Sequence, residues 1–134
     1  MSRISNAVRA QLRERAGNRC EYCRKPDHVS TYGYHADHII PIKHGGTSEL
    51  DNLAWACFEC NVNKSENIAT YDRLTGQLTP LFHPRQALWE DHFELQHEVI
   101  HGKDAIGRVT ILILDINHPD QLETRRILLE IGEW

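Results

Sequence analysis

The four cysteines of the 134-residue chain lie in two Cys-x-x-Cys motifs, Cys20 to Cys23 and Cys57 to Cys60. Two such motifs that meet in space offer four thiolates in the tetrahedral arrangement of a structural zinc ion. Disulfides are disfavoured in a reducing cytoplasm, and a thioredoxin-like redox pair needs one motif beside a strand and helix that we do not find here. The spacing therefore predicts Zn²⁺ held by all four cysteines, a structural metal because protein fills every ligand position.

An inserted segment separates the two motifs, because the 33 residues between them exceed the usual fifteen to twenty of a simple zinc ribbon. Residues 34–42 are rich in β-forming residues, Gly45 and Gly46 indicate a turn, and residues 53–56 resume the strand pattern. Residues 59–66 have the composition of a short helix. We expect a strand, a strand and a helix stapled by zinc, with Tyr22 in the core.

Helical spacing marks the region before the first motif and part of the region after the second. Apolar residues recur at positions 4, 8, 12 and 16, and Gly17-Asn18 ends that pattern. Residues 105–116 are ambiguous, since 109–111 favour a strand, but we interpret them as a helix because their apolar spacing is helical. A break at 117–119 precedes a last helix, and turns near 74–78 and after 93–95 predict short extended pairs.

The fold class is therefore α+β, with a zinc-stapled unit at residues 1–66 and a small α+β extension of unknown function at 67–134. The formal net charge of −4 argues against an electrostatic nucleic-acid binder. That average hides a net charge of +5 on residues 1–25 and −5 on residues 67–134. The longest aliphatic run, Ile111 to Leu114, is too short to cross a bilayer, and the N-terminal residues do not begin a secretory signal. We expect a cytoplasmic protein without a membrane partner.

One ordered pattern of short segments spans residues 20–64. It consists of the cysteine motifs together with Asp37-His38-Ile39-Ile40-Pro41, Gly45-Gly46, Asn52-Leu53 and Cys60-Asn61-x-x-Lys64. This pattern resembles the HNH endonucleases, in the four-cysteine subgroup whose ββα-metal unit is stapled by zinc. Segments around His83, Trp89 and Gly107 resemble the C-terminal extension of a group of small bacterial HNH proteins.

The resemblance implies a role for each motif residue in hydrolysing DNA phosphodiester bonds. His38 is the general base, a role that also suits an imidazole titrating near neutrality. Asp37 and Asn61 are the implied ligands of a catalytic divalent cation. An oxygen donor set, with Asn61 where some members have histidine, favours Mg²⁺ or Mn²⁺. Asn52 is implied to brace the loop that carries the histidine.

Other residues are candidates for supporting roles. We expect phosphate contacts from the basic residues Arg9, Arg13, Arg15 and Lys64. His35, two residues before Asp37, is expected to support the metal ligands rather than to be an extra ligand. Adjacent residues on a regular strand point to opposite faces, so Asp37 and His38 converge only if the strand twists or the metal lies at its rim.

Two classes of function remain. The first is a metal-dependent DNA endonuclease, and the second is a zinc-stapled nucleic-acid-binding or regulatory module that does not cut. We favour the nuclease because a binding module has no physical reason to keep Asp37, His38, Asn52 and Asn61 in this spacing. The sequence leaves open nicking or double-strand cleavage, RNA as a substrate, the biological role, and whether the chain pairs as a homodimer.

Overall fold

The computed structural model describes residues 4–134, so Arg3, which contributes to the predicted basic segment, lies outside the described residues. Helix α1 spans Asn6–Arg15, and the hydroxyl of Ser5 caps it by accepting a hydrogen bond from the amide of Val8 at 3.2 Å. Gly17 and Asn18 follow with φ of 65° and 61°, left-handed conformations that end the helix. The predicted helix and its stop are confirmed.

A hairpin and a short helix form the unit between the cysteine motifs. Strand β1, His35–His38, pairs antiparallel with strand β2, Leu53–Ala56, and helix α2, Phe58–Lys64, follows directly. Strand β1 is shorter than the predicted 34–42, because the chain turns at Pro41, which has no amide hydrogen, into a 3-10 turn at Ile42–His44.

Gly46 in the long connection cannot be replaced by a larger residue without movement of the backbone. A Cβ atom at this position would lie 1.6 Å from the carbonyl oxygen of Ile40. The glycine therefore allows the connection to pack closely against the end of β1.

The remaining residues form two further hairpins and three helices. Strands β3, Ala69–Tyr71, and β4, Leu78–Pro80, make one antiparallel pair, and strands β5, Phe93–Gln96, and β6, Val99–Gly102, make the other. The helices are α3, Trp89–His92, α4, Ala105–Leu114, and α5, Pro119–Glu130. The helical interpretation of 105–116 is confirmed, and the side chain of Asp104 caps α4 through the amide of Gly107. The short α3 has no counterpart among the sequence predictions.

Both halves of the chain contribute to one hydrophobic core. Helix α4 packs against α2, β4 and β6, and α1 packs against β2. The fully buried residues of the core include Leu12, Tyr22, Leu53, Phe93 and Ile100. The extension therefore packs directly on the ββα unit, and the two together make an α+β fold.

Among the described residues, no helix has the length and apolar character needed to span a membrane.

Candidate active site and metal centre

The four cysteine sulfurs converge in the interior. They lie within 4.8 Å of one another, and the Sγ atoms of Cys23 and Cys57 are 3.7 Å apart. A tetrahedron with Zn–S bonds of about 2.3 Å has sulfur–sulfur edges of about 3.8 Å, which matches that separation. The predicted clustering of the four cysteines into a possible zinc site is confirmed.

Backbone amides of both motifs point at the sulfurs. The amides of Tyr22 and Cys23 donate to the Sγ of Cys20, and the amide of Cys60 donates to the Sγ of Cys57, each at 3.4 Å. Such hydrogen bonds stabilise the charge that thiolates carry as metal ligands. The donor set, its geometry and its amide contacts all fit Zn²⁺.

Asp37, His38 and Asn61 line one cleft of about 360 Å³ beside this cluster. The amide nitrogen of Asn61 lies 3.3 Å from the Oδ1 of Asp37, so strand β1 and helix α2 bring these two side chains into contact. His38 is the last residue of β1, where the regular alternation of the strand ends. His38 and its neighbour Asp37 thus line the same cleft at the end of the strand.

Asp37 is almost fully buried, at 4% exposure, and two donors besides Asn61 contact its carboxylate. The hydroxyl of Tyr22 donates to Oδ2 at 2.7 Å, and the ammonium group of Lys64 lies 3.2 Å from the same oxygen. Burial raises the pKa of Asp37, while the charge of Lys64 and the Tyr22 hydroxyl act in the opposite direction. These contacts compensate the buried carboxylate and fix its orientation.

Lys64 lies inside the protein, in contrast to the solvent-exposed phosphate contact expected from the sequence. Its side chain is 1% exposed, and its Nζ donates to the carbonyl oxygen of His38 at 2.9 Å. Lys64 is one helical turn beyond Asn61 on α2, and its side of the helix faces β1 rather than solvent. In this structure Lys64 contacts the backbone and carboxylate of the Asp37-His38 pair and is screened from solvent.

The side chain of His38 has a partner that sequence reasoning did not identify. Its Nε2 lies 2.9 Å from the hydroxyl oxygen of Ser48, in the connection between the strands. When Nε2 donates to this hydroxyl, Nδ1 is the nitrogen that can accept a proton. Nothing in the sequence distinguishes Ser48 from other loop serines, because the pair is set by the path of the connection.

Asn52 joins the end of β1 to the same connection. Its Oδ1 accepts from the amide of Ile40 at 2.9 Å, and its Nδ2 donates to the carbonyl oxygens of Ile40 at 2.9 Å and Thr47 at 2.7 Å. The side chain therefore uses its amide to link the residues that follow His38 with the segment that carries Ser48.

The predicted phosphate-contacting arginines lie on α1, and each binds another part of the protein. Arg9 donates to the carbonyl oxygen of Tyr34 at 2.6 Å, Arg13 pairs with Asp27 at 2.7 Å, and Arg15 donates to the carbonyl oxygen of Leu50 at 3.0 Å. Arg13 and Arg15 remain exposed, and Arg9 is half-buried.

His35 does not line the cleft. Its ring centroid instead lies 6.1 Å from that of Phe58, the first residue of α2. The neighbouring cleft residues come from positions 36–38, 41–43, 61, 65 and 66.

Comparison with known proteins points to the same region. Residues 20–67 match the family model described as HNH endonuclease. The chain is 26% identical over 125 residues to the Septu protein PtuB of Bacillus thuringiensis, an alignment that covers 91% of this chain and 46% of that protein. The chain thus spans about half the length of this curated relative. No solved structure matches the chain significantly. The resemblance to HNH endonucleases predicted from the motif is therefore confirmed for residues 20–67, an HNH domain in which four cysteines cluster as a possible metal site.

Proposed function

We propose that the protein is a metal-dependent endonuclease that hydrolyses DNA phosphodiester bonds in the cleft lined by Asp37, His38 and Asn61. The observation that carries the proposal is the meeting of these three residues in one cleft of an HNH domain. Each motif residue is common by itself, but a general base beside a carboxylate and an amide that could hold a divalent cation provides the two elements of metal-dependent phosphodiester hydrolysis, an activated water and a cation at the phosphate.

Asp37 and Asn61 are the residues that would hold the divalent cation. A carboxylate oxygen and an amide oxygen form a partial shell that suits Mg²⁺ or Mn²⁺, which retain water and take up substrate oxygens. The amide nitrogen of Asn61 faces Asp37, and a half-turn of that amide presents its oxygen instead. When bound, the cation supplies charge stabilisation at the phosphate.

His38 acts as the general base in this proposal. Its contact with Ser48 holds the imidazole in place, and Nδ1 receives the proton of the attacking water. Asn52 and Lys64 are positioning residues, since Asn52 binds the backbone of Ile40 and Lys64 donates to the carbonyl oxygen of His38 itself. The clustered cysteines hold the start of α2, and thereby Asn61, in register with β1.

The test is incubation of the purified full chain with supercoiled plasmid, with Mg²⁺, with Mn²⁺, and with EDTA. We expect cleavage only with added cation, and loss of roughly 10²–10⁴-fold in rate for His38→Ala. His101→Ala is the matched control because His101 is an exposed histidine on β6, and it should cut at the parental rate.

The same experiment decides between the two functional classes. A parental protein that binds plasmid but leaves it supercoiled with either cation would establish the non-cleaving binding module instead. Linear product indicates cleavage of both strands, and nicked circles indicate cleavage of one strand.

A further inference from the structure

Two aromatic rings lie stacked on the protein surface beside the cleft. The centroids of Tyr32 and Phe58 are 4.7 Å apart with an interplanar angle of 28°. Tyr32 is 58% exposed and Phe58 is 36% exposed, and the ring of His35 lies next to Phe58. We call Tyr32, Phe58 and His35 the aromatic platform. Since Tyr32 has Phe58 on one side and remains mostly exposed, it offers a flat ring surface to solvent.

Chain connectivity places the platform close to the cleft. Phe58 and Asn61 are three residues apart on α2, so they lie on one side of the helix about 4.5 Å apart along its axis. His35 precedes Asp37 by two residues on β1, a distance of about 7 Å along the strand. The platform therefore lies within about two nucleotide steps of the cleft, given about 3.4 Å per nucleotide in a stacked strand.

The other side of the platform borders an arginine-lined groove. Tyr32 lines a cavity of about 360 Å³ together with Arg9 and Arg13. The platform thus connects a cleft suited to a phosphate and a metal ion with a groove that carries guanidinium groups. Asp27 also lines the groove and pairs with Arg13, so among the described residues Arg9 is the guanidinium there without a carboxylate partner in this groove. A flat aromatic surface between a metal-binding cleft and a groove that carries guanidinium groups matches the chemistry of a nucleic-acid strand, in which bases alternate with a charged backbone.

We infer that the aromatic platform binds an unpaired nucleobase one or two positions from the scissile phosphate, so the substrate is DNA with a single-stranded or splayed segment at the cutting site. This inference rests on the proposed nuclease function and adds the substrate class to it. In a duplex both faces of each base are covered by neighbouring bases, so an intact duplex has no face to offer Tyr32. A single strand stacks its bases on exposed aromatic rings without sequence preference.

The experiment measures the affinity of Tyr32 variants for matched oligonucleotides. Binding is measured in the His38→Ala background so that the strand is not consumed, with a single-stranded oligonucleotide and the corresponding duplex. Tyr32→Leu should lose about tenfold in affinity for the single strand and less than twofold for the duplex. Tyr32→Phe keeps the ring and should retain parental affinity. Tyr71→Leu is the control, since Tyr71 is 64% exposed on β3 and lines neither the cleft nor the groove.

A second set of measurements uses an oligonucleotide series in which one base at a time is replaced by an abasic site. In the His38→Ala background, an abasic site at one position should lower the affinity by the same tenfold. Adding Tyr32→Leu should lower the affinity for that oligonucleotide no further. Any of three results would overturn the inference. Tyr32→Leu could bind the single strand with unchanged affinity, it could lose affinity equally for single strand and duplex, or the protein with Tyr32 intact could fail to bind the single strand. These outcomes are distinct from failure of the proposed function, which is the absence of cleavage by the parental protein on any of these substrates with Mg²⁺ or Mn²⁺.

Discussion

The indole Nε1 of Trp89 donates a hydrogen bond of 2.8 Å to the backbone carbonyl oxygen of Tyr22, which lies between the first two cysteines. The neighbouring residue Glu21 is paired with Arg85, and its other carboxylate oxygen accepts from the amide of Trp55 at 2.7 Å. The extension therefore contacts the backbone of the first cysteine motif directly. Since the hydroxyl of Tyr22 also donates to Asp37, Tyr22 connects the extension with a residue that lines the cleft.

Trp89→Phe should lower the free energy of unfolding by about 1 kcal/mol, because it removes the donor and leaves the carbonyl of Tyr22 without this partner. The aromatic packing of position 89 on Phe93 is largely kept. The measurement is urea denaturation of the zinc-loaded protein. Leu88→Ala is the control, since Leu88 is 67% exposed and should change stability by less than about 0.5 kcal/mol. Equal stability of Trp89→Phe and the parent would show that the hydrogen bond contributes nothing.

Much of the fold could be predicted because it depends on residues close together in sequence. The spacing within each cysteine motif, the helix stop at Gly17 and the helical repeat of 105–116 are local patterns with a direct physical cause. A structural zinc site takes four ligands, so two motifs with two cysteines each are expected to meet even though they are distant in sequence. Once the two cysteine motifs are placed together, the segments between and after them give the order strand, strand, helix.

The environment of the site could not be predicted in the same way. Ser48 beside His38, Tyr22 beside Asp37 and the buried position of Lys64 all depend on the three-dimensional path of the chain. Lysine is almost always exposed unless it is paired, so the sequence predicts an exposed Lys64, and its burial depends on the ion pair with Asp37. Side-chain pairs between distant segments leave no periodic signal.

Cys60→Ser and His38→Ala should separate folding from chemistry. Cys60 belongs to the four-cysteine cluster that fits Zn²⁺ and immediately precedes Asn61, so its loss should unfold the HNH domain and abolish zinc retention. His38→Ala should retain zinc and change the melting temperature by no more than a few degrees while cleavage is lost. The measurements are zinc content after dialysis and thermal unfolding. A Cys60→Ser protein with parental zinc content and melting temperature would contradict the four-cysteine site.

Asp72→Asn should destabilise the protein in a pH-dependent manner. Asp72 is 2% exposed and forms a two-point contact with Arg108 at 2.9 Å, and this side-chain hydrogen bonding lowers the pKa of Asp72. Because the native pKa is lowered, the stabilisation is fully present above the unfolded value of about 3.9 and is lost as pH falls through the native pKa. The parent should therefore exceed Asp72→Asn in melting temperature at pH 6, and the difference should shrink below pH 4. A difference independent of pH from 6 to 2 would show that the carboxylate charge is not responsible.

Replacing Arg9, Arg13 and Arg15 by glutamine should weaken binding to unrelated DNA sequences equally. Each lost phosphate contact reduces the slope of log affinity against log salt by about 0.7 for a single strand and about 0.9 for a duplex. The comparison is made in the His38→Ala background across a salt series. Arg126→Gln on α5, where Arg126 pairs with Glu123 and Glu130, is the control and should leave the slope unchanged. An unchanged slope in the triple variant would move the DNA-binding surface elsewhere.

Lys64→Met should reduce stability strongly, because it leaves the buried carboxylate of Asp37 without its cation. Removing one partner of a buried ion pair costs about 3–5 kcal/mol, and the donors from Tyr22 and Asn61 remain, so we expect about 3 kcal/mol. Lys43→Met is the matched control, since Lys43 is 66% exposed, lies 3.9 Å from Glu66 and should cost less than about 1 kcal/mol. Urea denaturation measures both, and the salt dependence of DNA binding is measured alongside. A lysine that contacts phosphate from the surface would give the reverse pattern, with parental stability and a reduced salt slope for Lys64→Met. That result would contradict the buried ion pair and return Lys64 to the DNA-binding surface.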